Sequence, residues 1–221
     1  MRFSAIFFVV FFFAAVEPAA AQTQDAPVST RPAKSLQAQD AAYLALVDTA
    51  LQNPAAADFQ AIRFAYAKSS FYHPYGGDKI WKELDSAGKA ARKNIAQLPA
   101  YTGLVRKHFG HYRSHVHAEH LYQLGGDDFA ALKPHKDFLA ALIGSILKNG
   151  DGKAPETALQ IIDITEEYFL MRNVLRLQRI KKRPTLQKDG HIYDVFDAID
   201  PRSGEETVIY FNVDHIFARP L

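Results

Sequence analysis

NGDGKAPETALQIIDITEEY, residues 149–168, is where the chain changes character. Before it, apolar residues recur every three or four positions, the period of an α-helix; after it they alternate, the period of a strand. Its first half, NGDGKAPE, gathers glycines, a proline and charges into a turn-rich break. The next segment, ALQIIDIT (158–165), is short and β-branched, which predicts a strand. Thr165 then stands as the cap of a helix over 166–175, with Glu166 and Glu167 placed at its positive N-terminal end. The division predicts an α+β fold. Amphipathic helical hairpins occupy 39–149, and a small, mostly antiparallel sheet with one inserted helix occupies 150–221, closing the end of the stack as a cap within one compact unit.

Downstream of the break the pattern is a β-meander. Strands near 178–188 and 191–199 flank Asp189-Gly190, a two-residue hairpin turn. A third strand near 206–217 puts Ile209, Phe211, Val213 and Phe217 on one face. The turn sets Lys182 opposite Asp197 and Arg179 opposite Asp200, so a basic strand answers an acidic neighbour. A surface for anionic polysaccharide or lipid is the other reading of that basic strand.

Upstream, Tyr43, Val47, Ala50 and Leu51 form one helical stripe. Asp58 is placed to cap a helix carrying Phe59, Ile62, Ala65 and Tyr66. An aromatic loop, Ser70 to Gly77, precedes the clearest stripe: Ile80, Leu84, Ala87, Ala91, Ile95 and Leu98, with Pro99 expected to close that helix. Shorter helices are expected at about 101–110, 113–124 and 134–148. Residues 118–142 resemble a tetratricopeptide-type helix pair, although no regular repeat runs through the chain.

Gly150-Asp151-Gly152-Lys153, Glu166-Glu167-Tyr168 and Tyr210-Phe211-Asn212 resemble, in order and spacing, a family of exported bacterial proteins known as a domain of unknown function, which follows tetratricopeptide-like helices. The resemblance is strongest over 150–217 and extends to Asp58-Phe59, Tyr66, Tyr72 and Tyr75; it departs at Ala154, where the pattern has serine. It implies the fold and the compartment, and no reaction.

The N-terminus carries the same implication. Arg2, an apolar run from Phe3 to Val16 and Ala19-Ala20-Ala21 read as a signal peptide over 1–21, cleaved before Gln22. That run is shorter than the roughly 20 residues a spanning helix needs. A polar, proline-containing linker over 22–38 follows. The expected location is therefore the periplasm or the extracellular space. With no cysteine in the chain there is no disulfide, no thiolate nucleophile and no lipid attachment, so the protein is not a lipoprotein. Cleavage would leave 25 basic and 23 acidic residues, a balance that draws in neither nucleic acid nor an anionic membrane.

Five histidines lie within 108–120: His108, His111, His115, His117 and His120. On a continuous helix, His111, His115 and Glu119 would share a face suited to zinc, with His73 and His135 as further ligands; a packed or solvated histidine-rich face is the competing reading. His120, at four-residue spacing between Val116 and Leu124, is expected to face the core. Glu166 and Glu167 are adjacent on a helix and point about 100° apart, which does not suit a catalytic carboxylate pair. Tyr72, His73 and Tyr75 are candidates for a ligand groove, able to stack on a sugar or peptide or to wedge between helices. No catalytic set emerges. The expected function is a non-enzymatic interaction module for a protein or cell-envelope ligand, with no cofactor. The alternative is a periplasmic metal-dependent hydrolase or metal-binding protein using the cluster from His108 to His120.

Overall fold

The computed structural model describes residues 33–217, so the expected signal peptide and most of the expected linker lie outside the described residues. Six helices come first: α1 (Ala33–Gln52), α2 (Phe59–Lys68), α3 (Gly77–Lys93), α4 (Leu98–Lys107), α5 (Tyr112–Gly125) and α6 (His135–Leu147). α1 begins six residues inside the expected linker, which shortens it. Asp58 caps α2 as expected, its Oδ1 accepting the Ala61 N–H at 2.9 Å. The α3 stripe holds for Ile80, Leu84 and Ala91, all buried. It fails beyond Asn94, because Ile95–Gln97 is a 3-10 turn that leaves Ile95 exposed. Pro99 opens α4 instead of closing α3, since a missing N–H costs nothing in a first helical turn.

Gly110 makes the corner between α4 and α5. A Cβ there would sit 2.5 Å from the Tyr66 Cβ, so only glycine lets the chain pass α2 at this distance. α1 packs on α2, α3 on α4 and α5, and α5 on α6, while α2 also meets α6.

The C-terminal part contains β1 (Leu159–Gln160), α7 (Ile164–Phe169), β2 (Gln178–Lys182), β3 (Leu186–Lys188), β4 (His191–Ile199), β5 (Glu206–Asn212) and α8 (Asp214–Phe217). The sheet order is β1-β5-β4-β2, with β3 also on β4; β1 runs parallel to β5 and the other pairs are antiparallel. The fold is α+β, as expected, and several local expectations change. The strand over 158–165 contracts to β1, after which Ile161 and Ile162 turn into the core. Asp163, not Thr165, caps α7, accepting the Thr165 N–H at 2.7 Å. The expected helix over 166–175 becomes α7 plus a π-turn at Leu170–Val174, where the Leu175 N–H reaches back to the Leu170 carbonyl at 2.8 Å.

β5 stops at Asn212, and Phe217 lies in α8 at 53% exposure instead of on the sheet face. The turn at Asp189-Gly190 forms, with φ of 52° and 80°, and pairs Lys188 with His191. The register then slips. Three residues, Arg183 to Thr185, span the distance covered by Asp194 and Val195 on β4, since Pro184 has no N–H for the ladder. Lys181 therefore faces Asp197 and Lys182 faces Phe196. A second irregularity, with Arg179 at φ 50°, removes the expected pairing of Arg179 with Asp200 and leaves Gln178 opposite Ile199.

One core joins both parts of the chain. Tyr43, Phe59, Tyr66, Phe138 and Leu142 from the helices share it with Ile162, Leu170, Phe196 and Phe211. Phe211 is fully buried and meets Phe196 edge-on with ring centroids 5.8 Å apart, so the sheet covers the helices with its apolar face.

Candidate functional site

The histidines separate in space. His111 precedes α5 as its cap, its Nδ1 accepting the Arg113 N–H at 3.2 Å, so the His111–His115–Glu119 ladder never forms on one helix. His115 turns inward: its Nε2–H donates to the Phe109 carbonyl at 2.7 Å, and its Nδ1 lies 2.9 Å from Nδ1 of His135. Glu119 accepts instead from Gln123 at 3.2 Å. His120 is exposed, contrary to expectation, because the α5 face packed on α3 carries His117 and Leu121. His117 meets the Tyr101 hydroxyl at 2.9 Å. Among the described residues no group of three ligating side chains could hold a metal. Burial holds His108 down to about 3 and His135 down to about 4, and it holds His115, facing His135, well below its ordinary value.

Buried polar residues instead gather where α7 enters the helices. Arg63, fully buried on α2, places Nη2 2.8 Å from Oε2 of Glu166 and 3.1 Å from the Gln160 carbonyl. The same Glu166 oxygen accepts the Ile162 N–H at 2.9 Å. His111 Nε2 stands 3.4 Å from Oδ2 of Asp163, and the Tyr72 hydroxyl donates to the Ile162 carbonyl at 2.5 Å. Burial raises the Asp163 carboxyl, but His111 and Thr165 outweigh that and leave it low. Glu166 and Glu167 stand in the first turn of α7, as expected, but both are buried, and Glu166 ties two distant parts of the chain together. Arg63 escaped the sequence reading. Its signal was a charge set within the Phe59, Ile62 and Tyr66 stripe, where solvent-facing residues do not belong.

Glu167 lies beside Asp194, a buried carboxylate that Lys182 and Thr185 also bond. Burial, then the Asp194 charge, pushes Glu167 up to about 9. A folded value above the unfolded one contributes stability fully present below the unfolded pKa of 4.5 and lost as pH rises through about 9. Glu167→Gln, which keeps a donor toward Asp194 without the titrating proton, should therefore stabilise the protein at pH 8 by on the order of 2 kcal/mol and flatten its alkaline decline. Urea unfolding of both proteins at pH 6 and pH 8 measures this; an equal decline in the two would exclude Glu167 as its source.

A cleft of about 440 Å³ opens beside this polar seam, between the aromatic loop, α3 and the end of α4. Tyr72 and His108 are buried in its wall, with Lys79, Glu83 and Lys107 around them. His73, exposed, also lines it, whereas Tyr75 is absent from its lining. Of the three groove candidates, Tyr72 and His73 line the cleft, while Tyr75 packs edge-on against His73 with ring centroids 6.4 Å apart and its N–H on His73 Nδ1, outside the lining. His108 Nδ1 lies 2.9 Å from the Tyr66 hydroxyl, and its Nε2 has no hydrogen-bond partner. A larger groove on the sheet, about 640 Å³, is lined by Arg179, Lys181 and the paired Arg183 and Asp197, of which the three basic residues are exposed and Asp197 is half-buried.

Residues 37–219 match the family described as Domain of unknown function (DUF4919). No curated protein and no solved structure matches the chain.

Proposed function

Because the chain belongs to this family of unknown function, its role has to be read from its own residues, and we propose that it is an exported, non-enzymatic binding module whose ligand enters the cleft walled by Tyr72 and His108. The observation that carries the reading is His108. Its side chain is 5% exposed, one nitrogen is held by Tyr66, and the other has no hydrogen-bond partner in the cleft wall. Buried polar groups are normally satisfied, so an unpartnered nitrogen in the wall of an open cleft is a place where a ligand can bond. The other chemistry-bearing groups support binding over catalysis. Arg63, Glu166, Asp163 and His111 are enclosed together where no substrate reaches them. In this reading the hairpins of α1–α6 are a tetratricopeptide-like scaffold, the C-terminal sheet locks their end, and the ligand is a protein segment or a cell-envelope molecule.

The binding reading is tested by amide NMR spectra recorded with small polar and aromatic probes. Shifts should cluster at Tyr72, His73, Lys79 and Lys107; shifts confined to the sheet groove at Arg179 and Lys181 would move the site elsewhere. Export is tested separately. The protein recovered from a bacterial host should begin at Gln22 by intact mass, and a full-length species in the membrane fraction would contradict it.

A further inference from the structure

We propose that Lys182 and Asp194 condense into an intramolecular amide, with Glu167 passing the protons, so that a covalent bond ties β2 to β4. Placement is the first observation. The slip at Arg183 to Thr185 turns Lys182 from the outer face of the sheet, where it would meet Asp197, to the inner face opposite Phe196. Asp194 lies on that same inner face, and the Lys182 ammonium contacts its Oδ2 while standing 5.7 Å from the centre of the Phe196 ring. The Asp194 side chain is 3% exposed, so the carbon to be attacked is shielded from water. Lys182 reaches it from the edge of the sheet, its own side chain 40% exposed.

The second observation is the group pressed against this pair. Glu167, fully buried on α7, lies beside Asp194, and its carboxyl makes no hydrogen bond to any other described residue. A plain ion pair has no use for a second carboxyl against its anion, since two carboxylates repel there. Burial, with the Asp194 charge, keeps Glu167 protonated at neutral pH, the form that can donate. Thr185 supplies the remaining part: its hydroxyl donates to Asp194 Oδ1 at 3.1 Å, where negative charge would develop.

Burial lowers the Lys182 ammonium, but its bond to Asp194 outweighs that, so the pair starts as ions. The reaction begins when the shared proton crosses from Nζ to Oδ2, leaving an amine against a carboxylic acid. Nζ then bonds to Cγ of Asp194, and the displaced electron pair moves onto Oδ1 under the Thr185 hydroxyl. Glu167 gives its proton to the Oδ2 hydroxyl, which departs as water when the C–O bond breaks and the pair on Oδ1 returns. Glu167 recovers a proton from the new amide nitrogen. One ammonium and one carboxylate have become one amide and one water, with no outside reagent, because a held and aligned pair reacts as if highly concentrated. Condensation follows folding, so freshly folded protein keeps the ion pair and its pH dependence.

Mass spectrometry decides it. The folded protein is kept at neutral pH until its mass is constant, then denatured, weighed and digested with trypsin. Its mass should fall by one water, and the segment carrying Lys182 should emerge joined to the segment carrying Asp194 as one branched peptide. Lys182→Arg, which keeps the charge and loses the nucleophile, should retain that water. Glu167→Gln should slow the reaction by at least about a hundredfold, since it cannot pass protons. A constant mass with Lys182 and Asp194 in separate peptides would overturn the bond, whether or not either variant folds. Loss of water without the branched peptide would overturn it too, placing the dehydration elsewhere, as at Asp189-Gly190. An equal rate in Glu167→Gln would overturn the part given to Glu167.

Discussion

Acidified from pH 6.5 toward pH 4, the protein is expected to lose about 3 kcal/mol of stability per pH unit at the steepest point, enough to unfold it within that window. Three buried imidazoles contribute most, and His117 and His215, which burial also lowers, add to them. Burial lowers His108 to about 3 and His135 to about 4, and burial together with the facing His135 ring holds His115 well below 6.5. In the unfolded chain all three titrate near 6.5. Below that pH the unfolded chain takes up protons that the folded one refuses, so their contribution is full above 6.5 and lost as pH falls toward the folded values.

Glu167 acts in the other direction over the same window. Its folded value of about 9 means that its contribution is regained on acidification and is complete below 4.5. Three protons refused against one retained leaves at least two net, each worth about 1.4 kcal/mol per pH unit. The His115–His135 contact shows why the folded state resists. His115 Nε2–H is spent on the Phe109 carbonyl, so its Nδ1 accepts from His135, and a further proton would set two donors 2.9 Å apart. Urea midpoints at pH 7, 6, 5 and 4 measure the slope. Midpoints unchanged down to pH 5, or imidazole NMR signals of these rings that titrate near 6.5 in the folded protein, would refute it.

Arg63→Ala is expected to cost about 3–5 kcal/mol, a large share of a domain's 5–15 kcal/mol. Arg63 and Glu166 are both buried, their side chains 0% and 1% exposed. Removing the guanidinium strands the Glu166 carboxylate with the Ile162 N–H as its remaining hydrogen bond, and also frees the Gln160 carbonyl. Much of the loss is the penalty for an unpaired buried charge and not the worth of the pair, so Arg63→Met combined with Glu166→Leu should recover most of it. Lys89→Ala, which breaks the exposed Lys89–Asp85 pair, should cost under about 1 kcal/mol. Urea denaturation of the four proteins ranks these effects. An Arg63→Ala variant as stable as Lys89→Ala would mean that the seam does not hold the two parts of the chain together.

What the residues determined unaided was local. A helix shows its buried face through its own period, so Ile80, Leu84 and Ala91 could be placed without any partner. A cap or a two-residue turn is decided by neighbours in sequence, so Asp58 and Asp189-Gly190 were legible too. The change of period at residue 150 was enough to set the α+β class, and the buried alternation of Ile209 and Phe211 told which face of β5 must be covered.

Tertiary structure decided everything that depended on residues far apart. Arg63 and Glu166 are 103 positions apart, and nothing in either segment announces the other. Two glutamates beside each other read only as a helix N-terminus until burial takes both out of water, after which one needs the Arg63 guanidinium and the other keeps a proton. The histidines spaced for a metal face were dispersed for a related reason. Gly110 lets the chain turn against Tyr66, placing His111 ahead of α5 and sending His115 to His135, because a buried imidazole takes whichever partner the fold brings within reach. Periodicity can say that a side chain is buried; only the packing of distant segments determines what it is buried against, and that partner sets its charge, its hydrogen bonds and its role.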